Sequence, residues 1–127
     1  GHASKAETYA LIEEIGKYPH SKLMLNQPAN PLTGLDAKAL LEISAQPNVF
    51  IEQTALTYLL GHQTKADFKA VLTSIPHVIY SSDLGQTSQI DVPEFITQSQ
   101  HYFKLFGITK EREASIWRHN PIKMLKL

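Results

Sequence analysis

One pattern constrains this chain more than any other: short apolar runs that stop on polar residues, separated by capped amphipathic segments. The runs are Lys22-Leu23-Met24-Leu25, Val49-Phe50-Ile51 and Val78-Ile79-Tyr80. Strand-length apolar runs alternating with helix-length periodic segments predict an α/β fold, with parallel β/α units joined by right-handed crossovers. The runs read as apolar throughout, which predicts strands buried on both faces.

The segments between them carry helix punctuation. Ser4-x-x-Glu7 is a capping box ahead of Tyr9, Leu11, Ile12 and Ile15, and Gly16 offers a stop, so the first helix runs from about Lys5 to Ile15. Leu35, Ala39, Leu40 and Ile43 line a second helix that ends at Gln46-Pro47-Asn48. Thr64-x-x-Asp67 caps a third, with Phe68, Val71, Leu72 and Ile75 inward and Pro76 as its stop. Pro93 opens a fourth, whose Phe95, Ile96, Ser99, Tyr102, Phe103 and Phe106 share a face that reads as core, and Gly107 closes it. A last helix starts near Thr109 and passes Ile116 and Trp117. Asn120-Pro121 then restarts a turn that leads into Met124-Leu125.

Composition narrows the function classes. At 127 residues the chain is one domain's worth, or part of one. Lys plus Arg (12) balances Asp plus Glu (12), so neither nucleic acid nor a membrane surface is an expected partner. No window approaches the ~20 apolar residues of a transmembrane helix, and no signal peptide opens the chain. Cysteine is absent, which leaves no disulfide framework and fits a cytoplasmic setting. Gly1-His2 is either a cloning scar or the sign of a piece of something longer.

Each strand ends on polar groups: Gln27 after Leu25-Asn26, Glu52 after Ile51, and Asp83 after Tyr80-Ser81-Ser82. If Gly1-His2 is native, a fourth strand has just ended on His2. In a parallel sheet these ends lie at one edge, the edge where open α/β sheets and barrels place their chemistry. Convergent His and carboxylate side chains suit a divalent metal and an activated water. Taken singly, each such residue reads as a loop hydrogen-bonder, and Asp83 as a turn cap. His62 lies in a loop on the same side. His20 and His77 precede strands and belong to the opposite edge, where residues serve stability. His101 sits within a helix and His119 in the C-terminal tail, and both read as structural or solvated.

Several of these segments together resemble a known family. Gly1-His2-x-Ser4-x-x-Glu7, Asn26-Gln27-Pro28, Phe50-Ile51-Glu52, Ser82-Asp83-Leu84-Gly85-Gln86 and Asn120-Pro121-x-x-Met124-Leu125 are similar to the C-terminal half of the amidohydrolase-like, metal-dependent hydrolases. The resemblance spans essentially the whole chain. It implies the C-terminal half of a (β/α)8 TIM barrel, with residues 1–127 forming a single α/β domain that holds the last four β/α units. On the family pattern His2 matches the metal-binding His after the fifth strand. Asp83 matches the acid after the eighth, which binds metal or takes a proton from the attacking water. Gln27 falls where a His usually precedes Pro after the sixth strand. Glu52 matches a polar position after the seventh, and with Gln27, His62 and Gln86 it is expected on the substrate side. The implied cofactor is a divalent metal, zinc first. The implied substrate is a small molecule with an amide, ester or lactone bond.

Two departures qualify what the resemblance implies. Gln27 is neutral and a poor transition-metal ligand, which opens a non-catalytic alternative: a pseudoenzyme or binding scaffold of the same fold. The early strands with their His-x-His ligands are not in this sequence, so the chain alone is expected to be inactive. Half of a closed barrel has open edges and an exposed apolar inner face, to be covered by the missing N-terminal half or by a second copy. A third reading is a self-contained flavodoxin-like domain. The absence of a glycine-rich phosphate loop argues against a nucleotide role there.

Overall fold

The structure is a computed structural model that describes residues 4–26, 28, 35–54, 58, 61–82 and 91–126. Helix α1 spans Lys5–Ile15, strand β1 Leu23–Asn26, helix α2 Ala37–Ser44, strand β2 Val49–Thr54, helix α3 Lys65–Ser74 and strand β3 Val78–Ser81. Helix α4 (Val92–Leu105) follows. A last helical run comprises α5 (Lys110–Ala114), a π-helical turn (Ser115–His119) and α6 (Asn120–Leu125). The three strands form one parallel sheet in the order β1-β2-β3, with Leu25 opposite Ile51, Asn26 opposite Glu52, and Thr54 opposite Ser81. The parallel β/α reading of the sequence therefore holds.

Local chemistry sets the helix ends. Ser4 and Glu7 make the reciprocal capping box, with the Ser4 N–H donating to Glu7 Oε2 at 2.7 Å. This contact, first through the Ser4 backbone and then through its side chain, draws the Glu7 carboxyl below its ordinary pKa. Asp36, Thr64, Asp91 and Thr109 cap α2, α3, α4 and α5 through their side-chain oxygens. The start of α4 is thus set by Asp91, one residue before the helix, and Pro93 sits within the first turn, where its missing N–H costs nothing. Gly107 has φ +68° and closes α4 with the paired bonds Ile108 N–H to Phe103 O and Gly107 N–H to Lys104 O. A left-handed residue is needed there, and glycine adopts it without steric cost. The final helix does not stop and restart as the sequence suggested. It widens into a π turn just ahead of Pro121, which accommodates a residue that cannot donate a backbone bond.

The core lies on one side of the sheet. Leu25 of β1, Val49 and Ile51 of β2, and Val78 and Tyr80 of β3 pack with Leu40 and Ile43 of α2, Phe68, Val71 and Leu72 of α3, Phe95, Phe103 and Phe106 of α4, and Ile116. Ile12 and Ile15 bring α1 against the same cluster. Phe68 is central: it stacks on Tyr58 at 4.8 Å and meets Phe106 edge-on at 5.7 Å. Tyr80 is enclosed by Phe95, Phe103 and Trp117, and its hydroxyl pairs with buried Ser99 Oγ at 2.9 Å. Burial, only partly offset by that bond, raises the Tyr80 phenol far above its ordinary pKa.

Because side chains alternate along a strand, Met24, Phe50 and Ile79 stand on the opposite face, outside that helix-packed cluster. Met24 is 38% exposed and Ile79 is half-buried, so β1 and β3 alternate and only β2 is buried on both sides. The expectation of strands buried on both faces fails for the two outer strands because the core helices gather on one face.

Two polar side chains tie distant segments to this frame. Asn48 donates from Nδ2 to the carbonyls of Ile15, Tyr18 and Ser21, fixing the α1–β1 turn against the start of β2. The Arg112 guanidinium covers the carboxyl end of α3, donating to Leu72 O at 2.7 Å, Val71 O at 3.3 Å, Pro76 O at 3.4 Å and Ile75 O. Those carbonyls have no partner within their own helix, so the guanidinium does what a C-cap does.

Candidate functional site

The carboxyl ends of the strands gather polar residues on the face away from the core helices. Asn26 ends β1 opposite Glu52, and Thr54 ends β2 opposite Ser81. By strand alternation Asn26, Glu52, Thr54 and Ser81 share that face. Glu52 is buried (7% exposed) although it is a carboxylate, and Ser81 Oγ donates a hydrogen bond to Glu52 Oε1 across the two strands. The bond runs diagonally, because Ser81 lies two residues beyond Ile79, the register partner of Glu52. Thr54, at the end of the same strand, is fully buried.

A second polar pair sits on the core side of the same strand end. Gln53 and Gln63 exchange reciprocal amide bonds, Gln53 Nε2 to Gln63 Oε1 at 2.9 Å and Gln63 Nε2 to Gln53 Oε1 at 3.0 Å. Gln53 Nε2 also donates to Thr54 O at 2.7 Å. Both glutamines are buried, and a fully satisfied buried amide pair fixes the geometry of what it joins. Here it joins the end of β2 to the residue before the α3 cap. His62, the neighbour of Gln63, is exposed in that turn. The pair thereby holds His62 at the side of the sheet where the strands end.

Of the residues singled out from the sequence, Glu52 and His62 lie within the described part of the chain, and both belong to the carboxyl-end side. They differ in setting, since Glu52 is buried on the face away from the core helices whereas His62 is in an exposed turn. His2, Gln27, Asp83 and Gln86 lie outside the described residues. Among the described residues no three His, Asp or Glu side chains group closely enough to hold a metal ion. Glu52 offers a hard oxygen donor of the right kind, but alone it does not make a metal site. The described residues therefore do not by themselves fit a metal centre.

Sequence reasoning missed Ser81 and the Gln53–Gln63 pair. The first had a faint signal, a hydroxyl at the end of an apolar run, but its partner depends on register. The second had none, because two glutamines ten positions apart read as ordinary loop residues. At the opposite edge the sequence placed His77 well. It lies at the amino end of β3, stacked on Phe50 at 5.0 Å, with Nδ1 3.3 Å from Val49 O.

Chemically, the carboxyl edge presents a buried carboxylate held by a hydroxyl donor and backed by a rigid amide clamp. Such a group can accept a proton, orient a polar ligand or supply oxygen to a hard cation. No helix among the described residues is long and apolar enough to cross a membrane. Comparison with family models, with curated proteins and with solved structures yields no match to this chain.

Proposed function

We propose that the chain is the C-terminal half of a metal-dependent hydrolase of the amidohydrolase type, which in its intact form cleaves an amide, ester or lactone bond in a small molecule. One observation carries the reading: consecutive strands pair in sequence order, the core helices pack on one face, and the other face bears Glu52 and Ser81 at the carboxyl ends. That is the arrangement of a (β/α)8 barrel wall, where helices lie outside and polar strand ends face the mouth. A doubly wound sheet places helices on both faces, whereas the core helices among the described residues gather on one, which favours the barrel wall.

In this reading the carboxyl edge is one side of an active-site mouth. Asp83 is the ligand or proton acceptor, His2 a metal ligand, and Glu52, Gln27, Gln86 and His62 surround the substrate. A divalent metal, zinc first, would supply Lewis acidity to the scissile carbonyl and lower the pKa of a bound water. Its remaining ligands would come from the half of the barrel that this chain lacks. What the described residues contribute is position: Ser81 holds the Glu52 carboxylate in one orientation, and the Gln53–Gln63 clamp fixes the adjoining turn.

The test uses the longest natural polypeptide that contains this sequence. Metal analysis should find a bound divalent ion, and a panel of amides, esters and lactones should reveal turnover. Asp83→Asn should keep the fold and lose about 10²-fold or more in rate. A metal-free, inactive parent that still binds a small molecule would replace this reading with the scaffold, for which the neutral Gln27 already argues.

A further inference from the structure

The C-terminal helix α6 is fastened at the amino ends of β1 and β3, on the side opposite the candidate site. Asn120, buried at 7% exposure, donates from Nδ2 to Val78 O at 2.8 Å and to Pro76 O at 3.1 Å. Lys22, just before β1, donates from Nζ to Lys123 O and to Lys126 O. Between them His77 stacks on Phe50 of β2, and its Nε2 lies 3.3 Å from Lys123 Nζ. With the Lys123 ammonium donating to Nε2, the ring proton belongs on Nδ1, where it faces Val49 O. The contact thus requires a neutral imidazole.

Among the described residues the charge that acts on this ring is a cation. Lys123 of α6 faces it directly, Lys22 lies ahead of β1, Arg112 of α5 reaches Pro76 O next door, and Lys126 closes the helix end. Among the described residues the ion pairs are Lys17–Glu14 and Lys110–Glu113, and neither involves Lys123, Lys22 or Arg112. We propose that His77 and Lys123 form a pH-sensitive latch, in which protonation of the imidazole releases the end of α6 from the sheet. The added proton occupies Nε2, removes the acceptor that Lys123 uses, and sets two cations side by side. Asn120 does not titrate, so the helix stays tethered at its first turn, and release of residues 122–126 also gives up the Lys22 bonds to Lys123 O and Lys126 O.

The sign follows from the environment. Burial first, and then the Lys123 charge, hold the His77 pKa below its ordinary 6.5, with the Val49 carbonyl opposing. The released ring titrates near 6.5. Docking is therefore complete above that pH and is lost as pH falls from there through the lowered value of the docked ring. Release loosens the His77 ring that stacks on buried Phe50, whereas Ile122 and Leu125 are already exposed in the docked helix.

NMR on the full chain tests this, following the His77 imidazole together with backbone order and amide protection of residues 122–126 from about pH 7.5 to about pH 5. The expected result is a several-fold loss of protection in α6, with the midpoint of the His77 titration, itself below the ordinary imidazole value. His77→Gln should abolish the pH dependence. Lys123→Gln, at an exposed position that leaves folding intact, should weaken it and raise the His77 midpoint. Lys123→Glu should reverse it, so that acidification tightens the helix. A His77 midpoint at or above the ordinary value, an α6 indifferent to pH, or an unchanged response in His77→Gln would each overturn the latch.

Discussion

Replacing Ser81 with alanine removes the hydroxyl that donates to Glu52 Oε1, at a carboxylate only 7% exposed. Hydrogen bonds to charged groups contribute about 1.5–3 kcal/mol, more than the ~1 kcal/mol of a neutral pair, because a buried carboxylate left short of donors retains its desolvation cost. Ser81 is itself half-buried, so loss of its one Oγ atom adds little cavity cost. The expected destabilisation of Ser81→Ala is therefore about 1.5–3 kcal/mol. A double-mutant cycle separates the bond from other effects. Glu52→Met preserves volume and has no strong acceptor, and the coupling between the two sites should recover most of that amount. Urea unfolding at near-neutral pH and one fixed protein concentration measures it, since self-association would otherwise shift the midpoint. If Ser81→Ala costs under about 0.5 kcal/mol, or the two changes simply add, the pair is not a held carboxylate. The case for Glu52 as an oriented group then falls.

Other outcomes follow from the packing. Arg112→Met should destabilise the chain by about 2–3 kcal/mol in the same assay, because the carbonyls of Val71, Leu72 and Ile75 lose this donor while the aliphatic stem is kept and Pro76 O retains Asn120. Arg112→Lys should recover only part of this, since a single ammonium cannot fan across them. Of the five tyrosines, Tyr80 should resist ionisation in an ultraviolet titration until the fold is lost, as burial raises its phenol far above the usual range. Tyr80→Phe should cost about 1–2 kcal/mol by stranding Ser99 Oγ, which is fully buried. A Tyr80 that titrates with the exposed tyrosines would refute its enclosure.

How far the sequence carried each of these features depends on the range of the interaction behind it. Helix starts were legible wherever a cap acts on its own first turn, as at Ser4 with Glu7 and Thr64 with Asp67. The end of α4 was legible because Gly107 supplies its own left-handed turn. Parallel pairing was legible from alternation alone. What could not be read was anything that depends on register or on meeting across the fold. Glu52 meets Ser81 only because Thr54 lies opposite Ser81. Lys123 meets His77 across 46 positions, and Asn48 reaches back to the α1–β1 turn. The apolar sequence of β1 and β3 suggested burial on both faces, whereas Met24 and Ile79 face away from the core helices. Apolar composition tells how much surface a strand wants covered, but not which neighbour covers it. The same limit applies to the site. Glu52 and His62 were found at the expected side of the sheet, while His2, Gln27, Asp83 and Gln86 lie outside the described residues.

The central claim is that this sheet is one wall of a larger barrel, and its most direct test is the assembly state of the chain itself. Met24 and Ile79 on the face away from the core helices, with the outer edges of β1 and β3, require a covering partner in that account. On the proposed reading that partner would be an N-terminal half of the barrel or a second copy, and a stable interface buries on the order of 1,600 Å² in total. Multi-angle light scattering of the isolated chain at micromolar concentration, read with a dye that reports exposed apolar surface, decides the matter. The barrel-wall account predicts self-associated species or strong dye binding, both suppressed when a polypeptide carrying the missing half is added. A clean monomer that binds no dye would contradict it and point instead to a self-contained domain.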